Sequence, residues 1–347
     1  MTSLSKATSL TRRFLIGAGL TLLCLVLIAV VINLGAAVKN LFFPSPLPAP
    51  TAAFGKLPSI DFPKNTSSTD VTYTLNTLTG TLPTLPDRAA VYKIEEPQPN
   101  ILALQNAEKK VSQVSFLSQP TAISDVIYRF TNSDPLPKTL DMNILSFDFS
   151  LTSSYATNKT VTDANNLPDE NTAISFAQNF LSNMSLTPTD LDSSKTKASL
   201  FSLSGNALVP ADSLSNSQII RIDFFQKDIN KMPIFYTNPG ESPMNFLIAS
   251  TDLPQPQIVT AHFMHKTFTG DNATYAIISP SQAFDMLKDG KAYVANPTGQ
   301  TITIRNVSLG YFVSDLPQKY LMPIIVFQGD NGFSAYVSAV TDAWIQK

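Results

Sequence analysis

Two histidines, His262 and His265, are the only imidazoles in the 347-residue chain, and they stand three residues apart in Val259-Thr260-Ala261-His262-Phe263-Met264-His265. On a helix that spacing would set both on one face, where they could share a metal ion. The β-branched, alternating neighbours predict a strand instead, in which residues i and i+3 point to opposite faces. Neither a cysteine pair nor an HExxH glutamate accompanies them, so the expectation is two ordinary histidines, at the surface or partly buried. Serines and aspartates abound, but no GxSxG elbow marks a nucleophile. Glu95-Glu96 lies beside Pro97 and reads as a solvated loop. Thirteen glycines form neither GxGxxG nor GxxxxGK[ST], which excludes a phosphate-cradling nucleotide loop, and a net charge of −2 lacks the basic face that nucleic acid requires. No catalytic, cofactor-binding or metal-binding residue is therefore assigned, and the chain is read as not an enzyme.

The remaining candidates carry structural explanations. Cys24, the single cysteine, lies within an apolar run and follows Leu23, where a lipobox would need a small residue. Asn65, Asn158, Asn183, Asn272 and Asn306 begin N-x-[ST] sequons, no more than chance supplies in a chain this rich in Ser and Thr. Phe224, Phe225, Tyr236, Tyr311, Phe312 and Phe327 alternate with polar residues as core aromatics of strands do. Arg221 and Arg305, near the starts of long strands, read as solvated edge charges.

These residues need elements to position them. Residues 14–38 form 25 positions without a charge, ~37 Å as a helix and enough to cross a ~30 Å hydrocarbon core with some tilt. Lys6, Arg12 and Arg13 precede the run and no acidic residue occurs before Asp61, so the positive-inside rule sets residues 1–13 in the cytoplasm and the rest outside. The run is too long for the apolar core of a cleaved signal peptide. Residues 39–68, with Pro44, Pro46, Pro48, Pro50, Pro58 and Pro63, predict a polyproline stalk outside the membrane.

Beyond the stalk the pattern predicts an α+β fold of three units, at 69–160, 161–254 and 255–347. Strand alternation is read at 71–75, 90–94, 125–131 and 140–151, the last with a bulge at Leu145-Ser146. Helices are expected at 100–114, after Pro168, and after Ser279. The third is the best punctuated: Ser279 as N-cap, Pro280 as first residue, Gln282 closing a capping box and Gly290 as the left-handed stop. From Met232 to Asp252 the chain aligns with itself at an offset of 90. Met232/Met322, Pro233/Pro323, Ile234/Ile324, Ala249/Ala339, Thr251/Thr341 and Asp252/Asp342 are identical. The reading is a duplicated unit of one amphipathic helix on an antiparallel sheet, with 100–151 as a diverged further copy.

Val307-Ser308-Leu309-Gly310-Tyr311, then residues 320–327 and 335–340, resemble the closing strands of the YycH/YycI and PepSY-like extracytoplasmic modules. The single span with a short cytoplasmic N-terminus is similar to YycH and YycI as well, and the proline-rich stretch resembles uncharacterised single-pass envelope proteins of small-genome bacteria. The likeness covers residues 279–342 best and 168–252 more faintly, and the long stalk departs from YycI. What it implies is a module that binds or restrains a neighbouring membrane or envelope protein and carries no activity of its own. The expected protein is a single-pass contact or regulatory protein of the cell membrane, facing outward. A wall-directed hydrolase, metal-dependent or not, and a passive spacer are the other classes left open.

Overall fold

The computed structural model describes residues 27–30, 49–65, 71–133, 136–164 and 166–346. The expected membrane span lies outside these residues except for 27–30, which are helical, and among the described residues no helix is long and apolar enough to cross a membrane. The chain divides into two units, Met1–Ala49 and Pro50–Lys347.

The second unit is α+β, with seventeen strands among its described residues, in two large sheets. In chain order it runs β1 (Thr72–Leu75), β2 (Arg88–Ile94), α1 (Ala103–Ser112), β3 (Thr121–Ala122), β4 (Ile127–Asn132), β5 (Lys138–Asn143) and β6 (Phe149–Ser153). It continues with α2 (Glu170–Asn183), β7 (Lys197–Ser204), β8 (Ala207–Pro210), β9 (Ile219–Asp223), β10 (Ile234–Tyr236), β11 (Met244–Ala249), β12 (Gln257–Phe263) and β13 (Phe268–Ala276). The last part is α3 (Pro280–Lys288), β14 (Tyr293–Asn296), β15 (Thr301–Val313), β16 (Tyr320–Gly329) and β17 (Ser334–Ser338).

The first sheet holds nine antiparallel strands in the order β3-β4-β5-β6-β12-β11-β9-β7-β8. Helices α1 and α2 pack on it. Ala103, Ala107 and Val111 of the one and Ala173, Ala177 and Leu181 of the other share a core with Leu140, Met142, Phe149, Ile222 and Phe246. The eight strands of the second sheet include the run β1-β15-β16-β17-β14. There β1 and β10 lie parallel to β15 while the other pairs are antiparallel, and β2 joins β16 to β13. Helix α3 covers it with Ala283 and Leu287, against Ile304, Ile325, Phe327 and Ala335.

The helix starts follow the local chemistry. The Ser279 side chain accepts from Gln282 N–H and Gln282 reaches back, completing the capping box, and Gly290 sits at φ +70°. Asp169 is the N-cap of α2, its carboxylate accepting from Thr172 N–H at 2.9 Å.

Three features differ from the sequence reading. Residues 140–151 form a hairpin, not one bulged strand. Asn143 Oδ1 accepts from the N–H of Leu145 and Ser146, and Phe147 at φ +61° turns the chain back. An asparagine that satisfies backbone donors two and three residues on makes a turn cheaper than a strand.

The second difference lies in the sequence expected as stalk. Pro50–Asn65 runs along the body as a strap. Ala52 N–H donates to Thr274 C=O, Leu57 is fully buried and bridges to Ile345, and Asn65 exchanges bonds with Ala292 C=O and Val294 N–H. The apolar residues between the prolines supply the reason: Phe54 packs 5.2 Å from the Tyr320 ring and Phe62 4.9 Å from Phe312.

The third concerns the 90-residue offset. It carries β9, β10 and β11 onto parts of β15, β16 and β17. Their partners nevertheless differ. Strand β16 lies between β15 and β17, whereas β9 pairs directly with β11 and β10 crosses to the other sheet, beside β15. One short strand from the middle of the chain thus ties the two sheets together.

Within the first sheet, the Lys138 ammonium donates to Gln257 Oε1 at 2.8 Å, and burial pulls its pKa down to about 8. At neutral pH the charged form is held at a cost that the unfolded chain does not bear. Lys138→Met is therefore expected to stabilise the fold by about 2 kcal/mol at pH 7. The advantage should shrink as pH rises from about 8 towards the ordinary lysine value, because native wild type has already released its proton there while its unfolded chain still holds one. Urea titrations at pH 7 and 9.5 measure this, and a destabilised variant at pH 7 would contradict it.

Candidate functional site

At the seam of the two sheets a cleft of about 830 Å³ opens between the end of β2, the β5–β6 turn, the β12–β13 connection and the β15–β16 turn. A second hollow, of about 670 Å³, lies along the same connection and shares Ser146, Asp148, His265 and Thr267 with the first. Loop segments line both, each carried by a rigid strand or helix, as is usual for binding residues.

A polar cluster forms the shared wall. His265 Nε2–H donates to Asp190 Oδ1 at 2.7 Å. The Gln226 amide donates to Asp190 Oδ2 at 2.8 Å and to Lys266 C=O at 3.0 Å. Both amide hydrogens are then spent, so the 3.3 Å approach of Gln226 Nε2 to the imidazole is a contact and not a further bond. Asp148 accepts from Ser146 Oγ at 2.9 Å and from His265 N–H at 3.3 Å. Gln226 N–H reaches the Tyr236 hydroxyl at 3.3 Å, which links the cluster to β10 and so to the second sheet.

The two carboxylates are pushed in opposite directions. Burial raises Asp148, and the nearby Lys266 charge only partly offsets it. Burial also acts to raise Asp190, but the bonds from His265 and Gln226 outweigh it and hold that carboxyl below its ordinary range. Perturbed carboxyls in a cleft single it out as a candidate functional site.

The residues singled out in the sequence are distributed unevenly. His265 lies two positions past the end of β12, so it turns into the seam, while His262 stays on the strand, exposed between Asn245 and Ser150. The structure separates the pair, and among the described residues no group of three His, Cys, Asp or Glu side chains is placed to hold a metal ion. The His265 ring bonds to Asp190 and lies in contact with Gln226, and among the described residues no hydroxyl, thiol or amine bonds to it. Glu95 and Glu96, read as a loop, do lie in one, and line the cleft. Arg221 is not a solvated edge charge. It forms a bidentate pair at 2.9 Å with Asp223, which is 2% exposed, and reaches Glu241 at 3.4 Å. Arg305 does remain at the surface, paired with Asp330 at 2.8 Å. The aromatics Phe224, Tyr236, Tyr311, Phe312 and Phe327 are buried. Cys24 lies outside the described residues.

Asp148, Asp190, Gln226 and Lys266 went unnoticed in the sequence. Only Asp148, inside the Asn143–Asp148 turn, carried a local signal, since acceptor residues cluster in such turns.

No protein family model matches the chain, and no curated protein does. Among solved structures, an uncharacterised protein from Eubacterium rectale is similar at 14% identity, over 76% of this chain and 85% of that one, with a TM-score of 0.33. The C-terminal domain of Bacillus megaterium YpeB, a PepSY-related module, is similar at 13% identity, over 73% of this chain and 97% of that one, with a TM-score of 0.31. Scores this low make them structural neighbours and carry no activity across to this chain.

Proposed function

We propose that the chain is a single-pass, outward-facing membrane protein that works by contact, as the YycH/YycI and PepSY-like modules it resembles would, and that it takes a segment of an envelope or membrane protein into the cleft at the seam. The cleft itself carries this reading. Its walls come from connections of both sheets, and its lining mixes the carboxylates Glu95, Glu96, Asp148 and Asp315 and the lysines Lys266 and Lys319 with apolar side chains. Such a lining suits recognition of a polypeptide. The two sheets, with the helices packed on them, would then be the scaffold, and their junction the groove.

Site-specific photocrosslinking in cells tests it. A photoreactive residue at Gln98 or Lys319, both in the cleft wall, is expected to yield one discrete adduct, and the same group at Asn206, in the exposed β7–β8 turn, none. Equal adducts at all three positions, or none in the cleft, would reject the contact reading. Protease treatment of intact cells tests the topology: digestion of residues 50–347 from outside is expected, and their protection would reverse the orientation.

A further inference from the structure

The strap Pro50–Asn65 is fastened unevenly. Its first part is bonded along its length: Ala52 N–H donates to Thr274 C=O, the Tyr275 hydroxyl meets Phe54 N–H and Gly55 C=O, and Leu57 N–H donates to Trp344 C=O. At its far end the Asn65 side chain is tied to Ala292 and Val294. Between these ends, residues 58–64 make no hydrogen bond to the body among the described residues. Their one backbone bond is internal, from Phe62 N–H to Ile60 C=O at 3.1 Å. Ile60 and Phe62 hold this flap by packing alone, with the Phe62 ring stacked 5.6 Å from Tyr293 and 4.9 Å from Phe312.

The face beneath the flap is not wholly apolar. Tyr336, which packs in the same cluster as Ile60 and Phe62, stands two residues from Ser338 on β17, so the two share a face. Tyr336 is fully buried, and neither hydroxyl has a hydrogen-bond partner among the described residues. Seating the flap removes Ile60 and Phe62 from water, but it also shuts water away from two hydroxyls that no protein group satisfies. Gain and cost oppose each other, which narrows the gap between the seated and the lifted state.

What the flap touches leads to the cleft. Tyr293, on which Phe62 stacks, donates its hydroxyl to Thr237 C=O at 3.1 Å. Thr237 follows Tyr236, the last residue of β10, whose hydroxyl accepts from Gln226 N–H. The Gln226 amide in turn holds Asp190 and Lys266 C=O in the shared wall. Phe312, the other ring against Phe62, lies in β15 opposite Phe235 of β10.

We propose that flap and cleft wall are coupled through β10: a seated flap steadies the wall, and a segment held in the cleft keeps the flap seated. Such a coupling acts equally in both directions. The two-state element it requires is the flap itself. A wall already ordered loses less freedom on binding, so the seated flap favours the partner. That last effect rests on the cleft being the contact site; the coupling does not.

The test uses the full-length chain in detergent with Cys24→Ser and Ser338→Cys, so that thiol labelling at 338 reads the lifted flap. Hydrogen exchange at residues 224–227, whose amides bond to Met244, Tyr236 and Asp190, reads the wall. Phe62→Ala, with Phe62→Leu as a milder variant, unseats the flap. Phe284→Ala, on the α3 face of the same sheet, controls for a general loss of stability. Tyr293→Phe keeps the stacked ring and removes the bond to Thr237. Phe62→Ala is expected to speed labelling roughly tenfold and exchange at 224–227 roughly fivefold. Phe284→Ala should leave both near wild-type rates, and in the Tyr293→Phe background Phe62→Ala should speed labelling alone. Photocrosslinking from Gln98 in cells is expected to fall roughly fivefold in Phe62→Ala. Faster labelling with an unchanged wall overturns the coupling, and so does labelling that Phe62→Ala leaves unchanged. A wall that responds as strongly to Phe284→Ala, or to Phe62→Ala without the Tyr293 hydroxyl, overturns it as well. Coupled labelling and exchange with no crosslinks in wild type leave the coupling standing and overturn the contact reading.

Discussion

Gly310→Ala is expected to lower stability by ~3 kcal/mol and to release β10 from β15. A methyl group at this position would stand 2.5 and 2.6 Å from two carbons of the Phe235 ring and 2.9 Å from Pro233 C=O. Neither neighbour can yield easily. The ring packs 5.7 Å from Tyr336, and Pro233 C=O accepts from Tyr311 N–H at 2.8 Å, the first bond of the parallel pair. Glycine inside a strand commonly marks such a close approach. Because β10 is a link between the sheets, the loss should reach the seam, and urea midpoints together with hydrogen exchange over residues 232–236 measure both effects. A change below about 0.5 kcal/mol, the size of an ordinary surface substitution, would mean that the crossing is not as close as described. Phe235→Ala in the same chain should recover only part of the loss, since the carbonyl stays in place.

Arg221→Met should cost about 3 kcal/mol at pH 8, because it strands a buried carboxylate. Asp223 is 2% exposed and receives two bonds from Arg221 and one from Ser242 N–H at 2.9 Å. Burial already raises the Asp223 carboxyl above its ordinary value despite the arginine beside it, the burial effect being the larger. A carboxyl raised in the native state binds its proton there before the unfolded chain does, so its stability contribution falls as pH rises through that window. Without the guanidinium the window widens upward. The penalty of Arg221→Met is thus expected to be greatest at pH 8 and clearly smaller at pH 5, where Asp223 can take up a proton. Denaturant titrations at the two pH values decide it, and a penalty independent of pH would show that Asp223 has found another cation.

Much of the α+β reading could be taken from the sequence, for reasons that are local. The capping box at Ser279 and Gln282, the stop at Gly290 and the apolar stripe of α2 depend on neighbours within four residues. The strand readings at 71–75 and 90–94, which correspond to β1 and β2, belong to the same class. Where a competing local bond existed, as at Asn143, alternation alone misjudged the outcome and a turn replaced the strand.

The site was not legible in the same way. His265 meets Asp190 across 75 residues and Asp148 across 117, and no rule of spacing brings such residues together. The HxxH spacing drew attention to the right residue with the wrong companion, since His262 stays on the strand while His265 lies beyond its end. Arg221 and Asp223 share one face of β9, as alternation requires, but only the packing of the sheet and the loop at Ser242 made their pair buried.

The amino-acid sequence by itself determined what depends on hydropathy, periodicity and capping: the α+β elements, where the helices begin and which faces they bury. The tertiary structure alone decided that β10 leaves its own neighbours for β15, that Pro50–Asn65 lies against the body, and that Asp148, Asp190, Gln226 and His265 share one wall. The physical reason is the same in each case. Local bonds are fixed by residues within a turn of one another, whereas these contacts exist only because burying apolar surface elsewhere brings distant segments together.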